Sequence, residues 1–204
     1  MVKDKFASGY SNGQWQHQKG CYNIEDGYNW LRQDNWPKVP WFNSVWSRLN
    51  IPKHVFNAWL IKHGRLLTLD RLHKMGITDQ RTCYLCGMQD EDHCNTPDCS
   101  YTRRCYDRMQ SWIGVLGNGF GSTEQMLKIR HCSGFLRKLL CSLVVAMHYQ
   151  IWYARNVCRV EKQVIHPKVI VKSVLEDGRL ALLRYQYYQM SQADREWCSL
   201  RGLM

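Results

Sequence analysis

Acidic residues are scarce in this chain. Seventeen Asp and Glu stand against twenty-eight Lys and Arg among 204 residues, a formal charge of +11 with a pI near 9.3. That balance favours polyanions, RNA or DNA, over basic proteins as partners. Long apolar runs are missing too. The best, Leu139 to Met147, is interrupted by Ser142 and flanked by Lys138 and His148, short of the roughly eighteen residues a membrane span needs. The first nine residues carry an acid, Asp4, and no hydrophobic region, which argues against a targeting segment. The chain has no HExxH, G-x-S-x-G or Walker motif, no repeat and no low-complexity block, so nothing in it points to an enzyme. Ten cysteines in 204 residues are too few for a disulfide scaffold and suit a reducing compartment. The expectation is a non-membrane, intracellular protein of nucleus or cytoplasm.

Four of those cysteines fall within the seventeen residues from Cys83 to Cys99, together with His93. Zinc takes four Cys or His ligands in a closed tetrahedron, and a Cys-x-x-Cys turn supplies two from one loop. Cys83 and Cys86 are that pair, with Gly87 behind them to let the backbone fold back. The second pair comes from His93, Cys94 and Cys99, three candidates for two places, paired either as His93 with Cys99 or as Cys94 with Cys99. A redox role for the Cys-x-x-Cys turn would want a βαβ context that is absent here. The other six cysteines, Cys21, Cys105, Cys132, Cys141, Cys158 and Cys198, have no ligand spacing and are expected to be small packing residues.

The apolar spacing predicts a mainly α, irregular helical domain, with a helical hairpin joined to a small zinc knuckle and a long core helix. Residues 1–20 are expected to be a flexible N-terminal segment, 21–115 a zinc-binding helical module, and 116–204 a helical region packed on the long helix. A short helical turn over Asp26 to Leu31 and an extended Pro-braced loop over Trp36 to Trp41 precede the first apolar face, which is formed by Trp41, Phe42, Val45, Trp46 and Leu49 and ends before Pro52. Pro52 then opens a second helix, whose stripe of Val55, Phe56, Trp59 and Leu60 ends at Gly64. Thr68 caps a third that closes at Gly76.

Beyond the cysteines, Ser100 is expected to cap a helix with Tyr101, Cys105, Met109, Trp112 and Ile113 inward. Gly117 to Gly121 reads as a hinge, and Ser122 starts a short capped helix. One long helix over Ser133 to Cys158, apolar on most sides, is the expected central element, with His148 a core or rim residue. Pro167 starts a helix through Val169 to Leu175, and Ser191 caps the last one to Leu200.

Basic residues recur on the outward positions of these helices. Lys62, Arg65, Arg71 and Lys74, with His73, meet only Asp70 on the hairpin; Arg103 and Arg104 follow the cysteines; Arg155 and Arg159 begin a basic run ending at Lys172. They are candidate phosphate contacts, against the plainer reading of a solvated face. Nine Trp and eleven Tyr serve packing or, if exposed, the stacking of bases.

The order of these features has a counterpart. Trp46, then Ile51-Pro-Lys-His-Val-Phe-Asn-Ala-Trp-Leu60, then His63-Gly-Arg-Leu-Leu-Thr-Leu-Asp-Arg-Leu72, Gly76-Ile77 and the Cys-x-x-Cys knuckle resemble the reverse-transcriptase zinc-binding domain of plant non-LTR (LINE-type) retrotransposons. The detailed match runs from about Cys21 to Trp112. In the family the knuckle usually continues to His-Leu-Phe-x-x-Cys; here the position of that histidine is held by Cys94, His93 lies one place earlier, and Asn95-Thr96 replace the apolar pair. The family spacing thus favours Cys94 as fourth ligand and residue type favours His93. The family's polymerase, with its Tyr-x-Asp-Asp carboxylates for two-metal chemistry, has no counterpart here. The resemblance implies a non-catalytic, zinc-binding module in a short stand-alone protein, truncated or host-adopted, that holds RNA or DNA mainly through phosphates. The alternative is a zinc-stabilised module that docks a host protein.

Overall fold

A computed structural model describes residues 10–11, 14–15, 41–88, 90–91, 99–114, 132–185 and 190–204. The chain divides into two units, Met1–Val39 and Pro40–Met204. In the first, β1 (Tyr10–Ser11) pairs antiparallel with β2 (Gln14–Trp15), Tyr10 opposite Trp15 and Ser11 opposite Gln14. The turn expected at Asp26 to Leu31, the loop from Trp36, the Gly117 to Gly121 hinge and the helix from Ser122 all lie outside the described residues.

The second unit is helical. Its first helix, α1 (Phe42–Val45), is a single turn, shorter than the run of Trp41 to Leu49 predicts. The cause is Asn50, 5% exposed, whose side-chain amide donates to the carbonyls of Ser44 and Val45, each at 2.7 Å. Those carbonyls would otherwise accept from the next helical turn. Leu49 still goes inside, and its carbonyl accepts from the Ser142 hydroxyl at 2.9 Å.

Pro52 occupies the first position of α2 (Pro52–Lys62), where its missing N–H costs nothing, and Gly64 follows the helix with a φ of +60°. Its inward face differs from the expected stripe. His54, Asn57 and Ala58 are buried, Val55, Trp59 and Leu60 are half-buried, and Phe56 is 61% exposed. On this face His54 lies 3.4 Å from Asp177 and 4.7 Å from the Tyr149 ring, so a histidine takes the inner place an apolar count assigns to Phe56. Next, α3 (Leu69–Lys74) is capped by Thr68, whose hydroxyl accepts from the Arg71 N–H.

In α4 (Ser100–Ile113) Tyr101, Cys105, Met109 and Ile113 point inward with Tyr106, while Arg103, Arg104 and Arg108 are exposed. The cap is Cys99, one residue before Ser100. At the other end the Arg201 guanidinium forks onto the Ile113 carbonyl at 2.8 and 3.2 Å, holding an orphan helix acceptor.

The long element is α5 (Gly134–Glu161). Ser133 caps it, accepting from Leu136 N–H at 2.9 Å, and every residue from Leu139 to Met147 is buried. A helix covered on all sides needs several neighbours. They are α1, α2 and α6 (Pro167–Arg184), which starts with Pro167. Gly178 of α6 sets the closeness of that packing, since a Cβ there would stand 2.9 Å from a Leu143 methyl. α6 also lies against α4, and Tyr101 donates to the Ile165 carbonyl at the turn before it. Finally α7 (Gln192–Leu200) opens with a capping box between Ser191 and Asp194, and Asp194 also accepts from Ser133, the cap of α5. Cys105, Cys141 and Cys198 are at most 1% exposed and Cys158 is 6% exposed, as small packing residues should be. No helix among the described residues is long and apolar enough to cross a membrane.

Candidate metal centre and its basic surround

The Cys-x-x-Cys turn folds as its glycine requires. Gly87 takes a φ of +65°, and its N–H donates to the Cys83 carbonyl at 2.8 Å, so the chain reverses and sets the Cys83 and Cys86 side chains on the same side. An isolated antiparallel bridge, Thr82 with Asp90, closes the base of the loop. The third sulfur arrives from α4, because its N-cap residue is Cys99.

The Sγ atoms of Cys83, Cys86 and Cys99 all lie within 4.8 Å of one another, with Cys83 and Cys99 at 4.0 Å. A tetrahedral zinc–thiolate site, with bonds near 2.3 Å, sets its sulfurs about 3.8 Å apart. The donor set therefore fits zinc. His93 and Cys94, the two candidates for the fourth place, lie outside the described residues.

Electrostatics support the same use. The Cys99 thiol is pushed down to about 4, first by the hydrogen bond from Cys83 and then by the N–H groups of Thr102 and Tyr101, against the effect of burial. Those N–H groups are the free donors of a helix N-terminus, which favour a thiolate. Cys83 is pushed up by the same hydrogen bond and by burial. The two sulfurs, 4.0 Å apart, are placed for a dication to bind both as thiolates.

Beside the cluster sits a residue that sequence inspection missed. Glu91 is 4% exposed; one carboxylate oxygen accepts from Leu69 N–H at 3.2 Å, and its backbone carbonyl accepts from Asp70 N–H at 3.1 Å. The other carboxylate oxygen faces Arg155 Nε at 3.3 Å. Burial pushes the Glu91 carboxyl up, and Arg155 is the main influence restraining it. Arg155 itself is 6% exposed, so it cannot serve as the surface phosphate contact its place in a basic run suggested. Its position carried a signal. It lies four residues after Ile151 and three before Cys158, on the inward stripe of α5.

The other candidate cations stay outside. Arg104 in the first turn of α4 bonds the Ser100 carbonyl and Arg103 is exposed beside it. Arg159 in the last turn of α5 is exposed, yet close enough to Glu91 to bias its ionisation. Lys162, not singled out as a contact, holds its ammonium 5.4 Å from the centre of the Tyr84 ring, inside the Cys-x-x-Cys turn, and donates to the Arg159 carbonyl. Two elements far apart in sequence, the start of α4 with Arg104 and the end of α5 with Arg159 and Lys162, thus bring cations to the cysteine loop.

On the α2–α3 segment Arg65 is exposed, Lys62 is half-buried, Arg71 donates to the Gly64 carbonyl at 3.0 Å, and Lys74 pairs with Asp70 at 2.8 Å. Of the four, Arg65 has no acidic partner among the described residues.

Residues 22–105 match the family model for zinc-binding in reverse transcriptase. The matched span takes in α1 to α3, the cysteine turn and the start of α4, with Cys83, Cys86 and Cys99 all inside it. It supports a reverse-transcriptase zinc-binding domain in this part of the chain, and α5 to α7 follow it. No curated protein and no solved structure matches the chain.

Proposed function

We propose that this chain is a non-catalytic zinc-binding protein derived from a retrotransposon reverse transcriptase, of the LINE type found in plants, and that it binds nucleic acid mainly through phosphates. The observation that carries the reading is the gathering of Arg104, Arg159 and Lys162 around the three-cysteine loop. Zinc, held by Cys83, Cys86, Cys99 and either His93 or Cys94, closes the loop; beside it stand Arg104 of α4 and Arg159 and Lys162 at the end of α5. A site filled by four protein ligands stabilises a fold and leaves no open position for substrate. Arg65, Lys62 and the rest of the α2–α3 cations extend the phosphate contacts, and Arg103 adds to those at the loop. Arg155 belongs to the interior.

Contacts of this kind read charge rather than sequence, so log affinity falls linearly with log salt, with a slope of about −0.9 per phosphate neutralised on duplex DNA. An electrophoretic shift series over increasing salt tests this. Steep loss of binding is expected; no binding of RNA, single-stranded DNA or duplex DNA at low salt would refute it.

A further inference from the structure

Building on the nucleic-acid reading, we propose that the ring-lined groove between α1 and α2 is a stacking site for the unpaired bases of a single strand. Trp46, Phe56 and Trp59 line this groove together with Pro52 and Val55. Trp46 is 53% and Phe56 61% exposed, and Phe42 beside Trp46 is 49% exposed. The inner contact of α1 and α2 with α5 is made by Val45 and Ala58 against Val145, with Trp41, Val55 and Trp59 packed on it, so Phe42, Trp46 and Phe56 take no part in it. The Phe56 and Trp59 rings lie within 19° of parallel with centres 6.1 Å apart, and His63 continues the series 4.8 Å beyond Trp59. Exposed aromatic faces in series are what a base platform needs.

The charge around the groove selects the occupant. Between Asp34 and Asp70 the chain has no acid at all, while Arg48, Lys53, Lys62 and Arg65 are all there. Arg48 and Lys53 are exposed, and Lys53 holds its ammonium 4.9 Å from the centre of the Tyr149 ring. The carboxylate that meets α2, Asp177, is engaged on the inner side with His54 and Gln150. Rings in a segment with these cations and no acid match a strand that carries a π-face and a phosphate at every step. Duplex bases are already stacked on each other and cannot use it.

The test uses the full chain and three labelled ligands of about twelve nucleotides: a single strand, its duplex, and an abasic strand with the same phosphates. Fluorescence anisotropy compares wild type with a Trp46→Leu/Phe56→Leu variant, which keeps apolar area but loses both π-faces; an unchanged thermal melt confirms that it folds. Single-strand affinity is expected to fall about tenfold or more, with duplex and abasic binding unchanged. Retained single-strand affinity in the leucine variant, or equal loss on all three ligands, would overturn the groove and leave the phosphate reading standing. A tryptophan-groove role in docking an apolar peptide would show as that retained affinity. No binding of any ligand by wild type overturns the phosphate reading and this one together.

Discussion

Glu91 and Arg155 form an ion pair inside the fold, 3.3 Å apart with both side chains at most 7% exposed. Because Glu91 also accepts from the first N–H of α3, the pair connects the end of the cysteine loop, α3 and α5. Taking either partner away strands a buried charge at a cost of about 3–5 kcal/mol. Arg155→Met and Glu91→Met are each expected to lower the unfolding free energy of the zinc-loaded protein, measured by urea denaturation, by that much. The double variant should lose clearly less than the two singles combined. Additive losses would show that the two groups do not act on each other.

Zinc is expected near one per chain by elemental analysis. Cys86→Ser, which removes the half-buried member of the cluster, should release it and lower the melting temperature, because structural zinc binding is itself folding free energy. Cys132→Ala, also half-buried but outside the cluster, should leave the metal content untouched. Wild-type protein free of zinc would refute the centre.

Acid is expected to loosen the contact of α2 with α5 and α6. His54 is 2% exposed and is pushed down from 6.5 to about 4, chiefly by burial, with Lys53 adding to the effect and Asp177 opposing it. The folded state therefore resists protonation, while the unfolded chain takes up a proton near 6.5. Its contribution is fully present above that pH and is lost as the pH falls toward 4, a change of about 3 kcal/mol. Urea titrations of wild type and His54→Gln over this window measure it: the variant's stability should fall less steeply with acid. Parallel pH curves would contradict the assignment.

Asp194 accepts at the backbone and side chain of Ser191 and from the Ser133 hydroxyl. It therefore serves two helix starts at once. A single cap is worth about 1 kcal/mol, and a buried donor left without a partner costs about 1–3 kcal/mol. Asp194→Ala should destabilise by about 2–3 kcal/mol, and Ser191→Ala by about 1 kcal/mol. Chemical denaturation of both variants checks the order.

Surface cations and the buried one should part company in binding. Arg104→Ala and Arg159→Ala are each expected to reduce the salt slope of nucleic-acid affinity by about one, uniformly across sequences. Neither should shift the melting temperature much, since both side chains are exposed. Arg155→Met should do the reverse, moving stability and leaving the slope alone. A reduced slope in Arg155→Met and none in Arg104→Ala would show that the cations at the loop are not the contacts.

Helix starts were legible because their causes are local. Pro52, Thr68, Ser133, Pro167 and Ser191 each lie within three residues of the N–H groups they relieve or cap, and α2, α3, α5, α6 and α7 begin at them. The start of α4 was displaced by one, because Cys99 adopts the extended cap backbone and Ser100 is already helical. Less legible was which side of α2 goes inside. Apolar counting favours Phe56, whereas His54 turns inward to Tyr149 and to Asp177, 123 positions on. The early end of α1 is similar, since Asn50 substitutes for a helical N–H through its side chain.

By itself the sequence determined the Cys83 and Cys86 turn, with Gly87 to reverse it, and the excess of cations, because both depend only on residue type and spacing of a few positions. Only the tertiary structure decided how closely Cys99, expected as a ligand, comes to the other two sulfurs, that Arg155 turns inward to Glu91, and that Arg104 on α4 and Arg159 with Lys162 at the end of α5 come to the cysteine loop. These depend on which charges burial removes from water and which it leaves there. That is settled only when distant segments close on one core.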